Sequence, residues 1–296
     1  MTAAPLSIAT PSTQAIPLVC DSPHSGTEYP QDFGYAVEFS NLRQCEDTHV
    51  EALWSGVPRV GGALLHARFP RSYIDANRAS TDIEAALLDE PWPGELQPSE
   101  RCTRLGNGLI YSKTSLLTPI YSRKLGVAEV SRRIQSCWLP YREALRGLIG
   151  QAQSRFGKAW HLNLHSMPSN AYARLGLADD RVLADVVLGD LRGISCSPAF
   201  TQSVAEAFTS LGYTVSINDP YVGQDLLREH GRPGDGCESL QIELNRKLYL
   251  DEATREPNGR FEQTRRDIDR VLEHVARFIA AESGAPSSST QEKEAS

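Results

Sequence analysis

The sequence contains no long apolar run and no excess of positive charge. No stretch approaches the ~20 apolar residues that a helix needs to cross a bilayer, and the first twenty residues hold no Lys or Arg, so they do not predict a signal peptide. The 30 Lys and Arg against 37 Asp and Glu give a net charge of −7, which is unfavourable for general binding to nucleic acid or an anionic membrane. We therefore expect a cytoplasmic protein with neither partner, in which a local arginine cluster binds any anionic ligand.

Cysteine is also scarce, and several signature motifs are missing. The six cysteines are never within four residues of each other, which excludes a CxxC redox pair and a thiolate zinc ribbon and predicts free thiols. Because GxxxxGK[ST] and GxGxxG stretches are absent, the sequence does not predict a nucleotide-binding enzyme. A serine hydrolase using Ser25 or Ser166 is an alternative, but the sequence has no GxSxG elbow.

Short apolar runs alternate with helical periods along the 296 residues. This alternation predicts an α/β fold of three layers, with a mostly parallel or mixed central sheet flanked by helices. Strands are predicted at 15–20, 60–69, 159–165, 182–188, 213–217 and 238–245, and helices at 39–55, 119–156, 198–211 and 261–279. We expect a single domain over 15–282, loose tails at 1–14 and 283–296, and a loop-rich insertion at about 79–118 that covers a site.

Polar residues follow four of the predicted strands. The segments are PHSG (23–26), YIDANR (73–78), LHSM (164–167) and QIELNR (241–246). In open α/β sheets, functional residues collect where strands end. Two histidines and one carboxylate, with a fourth position open to water, form a catalytic zinc site, and His24, Asp47 and His165 could supply that set. Glu243, at the end of a buried strand, could then act as the general base.

Each of these residues also has a simpler interpretation. A single histidine in a loop is usually a hydrogen-bonding group. Asp47 stands where a helix is predicted to begin and could cap that helix. Glu243 could be paired with Arg246, because an acid on a half-buried strand needs a partner.

Three arginines, Arg68, Arg71 and Arg78, lie within eleven residues of one another. A guanidinium binds a carboxylate through two parallel hydrogen bonds, so the cluster suits an acidic substrate. Surface ion pairs with neighbouring acids are the alternative, above all for Arg68. The glycine-containing loop 221–234 is typical of a mobile lid, and its Arg232 could add a contact with an anion.

Six segments resemble, in the same order, the N-formylglutamate amidohydrolase (N-formylglutamate deformylase) family. They are PHSG (23–26), EDTHVEALW (46–54), FPRSYIDANR (69–78), LNLHSMPS (162–169), GDLRGISCSPAF (189–200) and LQIELNR (240–246). The resemblance spans residues 16 to about 252, and several motifs in one order are more specific than any one of them. Because the family is related to zinc carboxypeptidases and aspartoacylases, the resemblance implies their phosphorylase/hydrolase-like fold and one divalent ion, Zn²⁺.

The resemblance also implies a set of metal ligands. His24 and His165 would bind zinc together with one acid. The wider group has its acid three residues after the first histidine, where this sequence has threonine. Asp47 fills the place of the acid that recurs in the amidohydrolase family, and Glu46 and Glu28 are the alternatives.

Roles in substrate binding and catalysis follow from the same resemblance. Asn77 and Arg78 would bind the substrate carboxylate, with help from Arg71. Glu243 would be the general base. The implied reaction is hydrolysis of the amide of a small N-formyl or other N-acyl acidic amino acid, with N-formylglutamate giving glutamate and formate.

Two residues depart from the family pattern. Ala76 replaces the leucine of Asp-Leu-Asn-Arg, and Asn163 stands where an aspartate often precedes the second histidine by two residues. Two alternatives therefore stay open, a deacylase of a related N-acyl amino acid and a non-catalytic protein that binds an acidic metabolite. The sequence indicates no oligomeric state.

Overall fold

A seven-stranded mixed sheet forms the centre of the protein in a computed structural model that describes residues 4–177 and 181–284. The strands are Leu6–Ala9 (β1), Leu18–Ser22 (β2), Ala63–Ala67 (β3), Ala159–Met167 (β4), Val186–Gly189 (β5), Val215–Ile217 (β6) and Cys237–Asn245 (β7). Their spatial order is β1-β3-β2-β4-β7-β5-β6. The neighbours β3, β2, β4 and β7 are parallel, whereas β1 and β5 run antiparallel to β3 and β7.

Helices cover both faces of this sheet. Within the described ranges they are Phe39–Arg43 (α1), Val50–Leu53 (α2), Glu100–Leu105 (α3), Val127–Arg133 (α4), Leu139–Phe156 (α5), Ala171–Arg174 (α6), Pro198–Thr209 (α7), Asp225–His230 (α8) and Phe261–Glu282 (α9). Successive strand residues point to opposite faces, so Leu18 and Cys20 pack in one apolar cluster with α2, α7 and α9, while Val19 packs in another with α5. The prediction of a three-layer α/β fold with a mixed sheet is confirmed.

The helix predicted over 39–55 is wrong as a single element. It is divided into α1 and α2 by a loop that holds Asp47. The backbone N–H of Asp47 donates to the carbonyl oxygen of His24 at 3.0 Å, and the Arg255 guanidinium donates to the carbonyl oxygen of Glu46 at 2.6 Å. These tertiary contacts interrupt the helix, and the helical periodicity of the sequence gives no sign of them.

The prediction of a loose tail at 1–14 is wrong for residues 6–9. These residues form β1, an edge strand paired antiparallel with β3 in the register Leu6 to Ala67. The strand has only four residues, none of them fully buried, so its alternation of apolar and polar residues is too short to predict a strand. Residues 1–3 and 285–296 of the two predicted tails lie outside the described residues.

The insertion at 79–118 has little regular structure but is anchored to the core. It contains a 3₁₀ turn at Ala85–Leu87 and the helix α3. Its side chains Ile83, Leu109 and Ile110 are buried in the same apolar cluster as α5. The insertion is therefore packed against the body by its own apolar residues, although its local period is weak.

All six cysteines are buried free thiols, as their spacing predicts. In the part of the chain that the structure describes, no helix combines the length and apolar character needed to cross a membrane.

Candidate metal centre and active site

The ends of the central parallel strands bring the predicted site residues together. His24 follows β2 by two residues, and His165 lies near the end of β4. Glu243 of β7 is the register partner of His165. Because the carboxyl ends of parallel neighbours meet at one edge of a sheet, the three side chains line a single cavity there.

A close backbone approach holds the loop that carries His24. A Cβ atom at Gly26 would lie only 2.2 Å from the carbonyl oxygen of Phe69, so the loop can pass the end of β3 only with glycine at this position. The N–H of Glu28 then donates to the carbonyl oxygen of Arg68 at 2.8 Å. This contact sets the loop after β2 against the segment after β3, which carries Asp75.

His24, Asp47 and His165 form a buried cluster at the bottom of the cavity. Oδ2 of Asp47 lies 3.4 Å from Nδ1 of His24 and 3.1 Å from Nδ1 of His165. Tetrahedral zinc bonds of about 2.0–2.1 Å place neighbouring ligand atoms roughly 3.4 Å apart. The spacing of these three side chains therefore fits one metal ion.

Both histidines are oriented so that Nδ1 faces this position. Nε2 of His24 lies 2.7 Å from Oδ1 of Asp75, and Nε2 of His165 lies 2.7 Å from Oδ1 of Asn163. Carboxylate and amide oxygens only accept hydrogen bonds, so these contacts favour a hydrogen on each Nε2 and a lone pair on each Nδ1. The Asn77 amide nitrogen, 3.1 Å from Nε2 of His165, then donates to Oδ1 of Asn163 instead. Nδ1 of His24 is buried without a hydrogen-bond partner in the described residues, as expected of an atom meant to bind a metal.

The protonation states of the cluster also suit a cation. Burial, together with the neighbouring His24, lowers the pKa of His165 to about 4, so its ring is neutral at pH 7. Burial alone would raise the pKa of Asp47, but the neighbouring imidazoles of His165 and His24 and the charge of Arg71 hold it well below its usual value. A neutral imidazole and an ionised carboxylate are forms that bind a metal.

The two alternative acids lie elsewhere. The Glu28 carboxylate is exposed and accepts from Arg68 at 2.7 Å. The Glu46 carboxylate is buried but accepts from Tyr29 at 2.5 Å and from Thr48 at 3.0 Å. Neither of them belongs to the metal-binding cluster, which leaves Asp47 as its acid.

Glu243 lines the cavity beside the cluster with 8% of its surface exposed. The expected alternative, a pair with Arg246, does not form, because that guanidinium donates to Oδ1 of Asp47 at 2.8 Å. The Nε2 of Gln241 donates to Glu243 at 3.0 Å, and the carboxyl has no ion pair in the described ranges. Burial, followed by the neighbouring Asp47, raises its pKa to about 8.

Asn77 and Arg78 reach the same cavity of about 340 Å³. The Asn77 amide donates to Oδ1 of Asn163 at 3.2 Å. The Arg78 guanidinium donates to Oε1 of Gln224 at 2.6 Å and to the carbonyl oxygen of Asn107 at 3.0 Å. Arg78 is thus held by neutral acceptors, which leaves its charge available to an anion.

The other predicted arginines have different positions. Arg71 lines the cavity, and its Nη2 donates to Oδ2 of Asp75 at 2.9 Å. Arg68 forms the exposed ion pair expected as the alternative to substrate binding, with Glu28 as its partner. Arg232 does not reach the cavity. Its backbone pairs with Cys237, and its exposed side chain donates to the carbonyl oxygen of Glu229.

Sequence reasoning missed several residues of the site. Asp75 is one of the neighbouring acids expected to pair with the arginines at the surface, yet it is fully buried behind His24. Arg101, Arg174 and Tyr221 also line the cavity. The sequence around these two arginines has no period that predicts where their side chains point, so it carries no signal for them.

The chain is similar in sequence and fold to known proteins. The family model of N-formylglutamate amidohydrolases matches residues 16–250. The N-formylglutamate deformylase of Pseudomonas aeruginosa is 26% identical over 241 residues, which cover 80% of this chain and 83% of that protein.

Solved structures extend the comparison. The N-formylglutamate amidohydrolase of Ralstonia eutropha JMP134 superimposes with a TM-score of 0.92 at 52% identity, covering 94% of this chain and 99% of that one. A gene product of Agrobacterium tumefaciens shares the fold with a TM-score of 0.68 at 16% identity, covering 93% and 96%. The chain belongs to the N-formylglutamate amidohydrolase family.

Proposed function

We propose that this protein hydrolyses N-formyl-L-glutamate to glutamate and formate, with one zinc ion held by His24, Asp47 and His165. The observation that supports this most is the position of Glu243, the register partner of His165, which faces the same buried cavity as the three ligands without an ion pair among the described residues. Family relatives in Pseudomonas aeruginosa and Ralstonia eutropha carry the names of enzymes with this activity.

A bound zinc ion would polarise the amide oxygen and lower the pKa of a bound water to about 7. The Glu243 carboxyl would accept the proton released from the attacking water and return it to the nitrogen of the leaving amine. Burial raises the pKa of this carboxyl, which brings its proton affinity closer to that of a metal-bound water and favours proton transfer between the two. Gln241, which donates to this carboxyl, would fix its orientation.

Asn77 and Arg78 would bind the α-carboxylate of the substrate. Both side chains are already held in place, since Oδ1 of Asn77 accepts from the N–H of Leu226 at 3.0 Å and Arg78 donates to Gln224. A preformed donor pair reduces the entropy lost on binding and fixes the amide relative to Glu243. Arg71 contributes its charge to the cavity while its guanidinium stays bonded to Asp75.

Replacing the general base provides the test. We expect Glu243→Gln to lower kcat about 10²- to 10⁴-fold, because proton transfer is lost while the shape of the side chain is kept. Zinc content, measured by elemental analysis, should stay at the wild-type level. Full activity of this variant would remove Glu243 as the base.

The reaction class and the substrate need two further measurements. Chelation should abolish hydrolysis, and added zinc should restore it. A panel of N-formyl and N-acetyl amino acids identifies the acyl group and the amino acid. A protein that binds metal but hydrolyses no member of the panel would contradict the proposed activity.

A further inference from the structure

The cavity has more positive charge than its own acids neutralise. Five arginines line it, namely Arg71, Arg78, Arg101, Arg174 and Arg246. Arg71 and Arg246 contact the buried carboxylates of Asp47 and Asp75 and are therefore paired. The other three have no ion pair within the ranges that the structure describes, so an anion that enters the cavity gains their charge.

Arg101 is the least satisfied of these three. Its Nε is buried without a hydrogen-bond partner among the described residues. Its guanidinium carbon lies 5.7 Å from the centre of the Tyr221 ring. Burial, followed by the positive charge of Arg78, lowers the pKa of Arg101. Two neighbouring guanidinium groups that face one cavity without an acid between them repel each other until an anion is bound.

The helix that carries Arg101 is fixed in place, although it belongs to the loop-rich insertion. Ser99 caps α3 by accepting from the N–H of Cys102 at 3.1 Å. The N–H of Ser99 in turn donates to Oδ1 of Asp82 at 2.7 Å, and Cys102 is buried beneath the helix. Arg101 is therefore presented to the cavity from a rigid position, as a specificity residue requires.

We infer that Arg101 binds the side-chain carboxylate of the substrate, while Asn77 and Arg78 bind the α-carboxylate. The inference rests on the proposed function, whose substrate carries two carboxylates separated by a short chain. Arg174 is a weaker candidate, because none of its side-chain nitrogens is both buried and without a hydrogen-bond partner in the described residues. The insertion would then select substrates with an acidic side chain, whereas residues at the strand ends would hold the metal and transfer the proton.

The test compares two substrates of nearly equal shape. For Arg101→Gln, we expect kcat/KM for N-formyl-L-glutamate to fall about 10- to 100-fold, mostly through KM, because a charge-assisted hydrogen bond is lost. Hydrolysis of N-formyl-L-glutamine, which has no side-chain carboxylate, should change by less than about threefold. Arg101→Lys should recover part of the preference. Arg104→Gln, an exposed arginine of the same helix, is the matched control and should behave as wild type.

An equal loss on both substrates, or no loss on either, would overturn the role of Arg101 while leaving the amidohydrolase activity standing. If the wild-type protein hydrolyses neither substrate, the proposed function fails separately. Calorimetry of the full chain with glutarate and with butyrate then decides on Arg101 without turnover. Arg101→Gln should weaken glutarate binding at least about 10-fold and leave butyrate unchanged, and an equal effect on both acids would contradict the inference.

Discussion

The two histidines of the proposed metal centre are supported in different ways. Nε2 of His24 donates directly to a carboxylate, Asp75, whereas Nε2 of His165 donates to an amide, Asn163. The Asn163 amide nitrogen in turn donates to Oδ1 of Asp21 at 2.7 Å. The carboxylate behind His165 is thus one side chain further from the imidazole than the carboxylate behind His24. The Asn163 amide, held by Asp21, orients the His165 ring.

Each buried carboxylate is stabilised by several donors. Asp75 accepts from His24, from the Arg71 guanidinium and from the N–H of Asn77 at 2.8 Å. Asp21 accepts from Asn163, from Tyr141 at 2.7 Å and from His161 at 2.8 Å. The support of His24 contains a permanent cation, Arg71, whereas no arginine or lysine of the described residues pairs with Asp21 behind His165. This difference predicts unequal sensitivity of the two sides to substitution.

The largest effect should come from the charged side. We expect Asp75→Asn to weaken zinc binding about 10- to 100-fold and to lower the free energy of unfolding by about 3 kcal/mol, because Arg71 loses the nearer of its two buried carboxylate partners. Competition with a chromophoric chelator and urea unfolding measure the two effects. Asp269→Asn, which breaks a partly exposed pair with Arg59, is the control and should change stability by at most about 1 kcal/mol. Equal effects of the two substitutions would show that Asp75 is an ordinary ion pair.

A smaller effect is expected on the amide side. Asp21→Asn leaves Asn163 in contact with His165 but removes the negative charge that holds the Asn163 amide, so zinc affinity should fall about 10-fold. The double change Asp21→Asn with Asn163→Asp moves the carboxylate next to His165 and should restore zinc affinity. If the double variant binds zinc no better than Asp21→Asn alone, the position of the charge behind His165 is not what matters.

The sequence predicts the residues that follow strands better than those that lie in loops. His165 and Glu243 were found because the period of two along β4 and β7 places them at the end of buried strands. From the residues alone Asp47 could equally cap a helix, and only the family resemblance singles it out as a ligand, because the contact between its N–H and His24 is nonlocal. Nonlocal hydrogen bonds leave no periodic trace in a sequence.

Two errors have the same origin. The glycine content of its loop predicts Arg232 at the site. The Arg232 backbone instead pairs with Cys237, and its side chain faces solvent. Arg101 was missed because the insertion around it has no period that predicts a direction for its side chains. In both segments, tertiary contacts rather than local pattern decide which arginine reaches the cavity.

The smallest expected effect is a pH dependence on the amide side. Burial alone would raise the pKa of Asp21, but hydrogen bonds from His161, Asn163 and Tyr141 lower it below its ordinary value of 3.8. A lowered pKa in the folded state stabilises the protein above the unfolded pKa, and this stability is lost as pH falls through the folded pKa. In urea unfolding with a chelator present, the difference between wild type and Asp21→Asn should therefore be constant from pH 7 to about 5 and shrink below about 3.8. A difference that stays the same down to pH 3 would mean that the Asp21 charge adds nothing to the support of His165, and that the amide of Asn163 alone orients the ring.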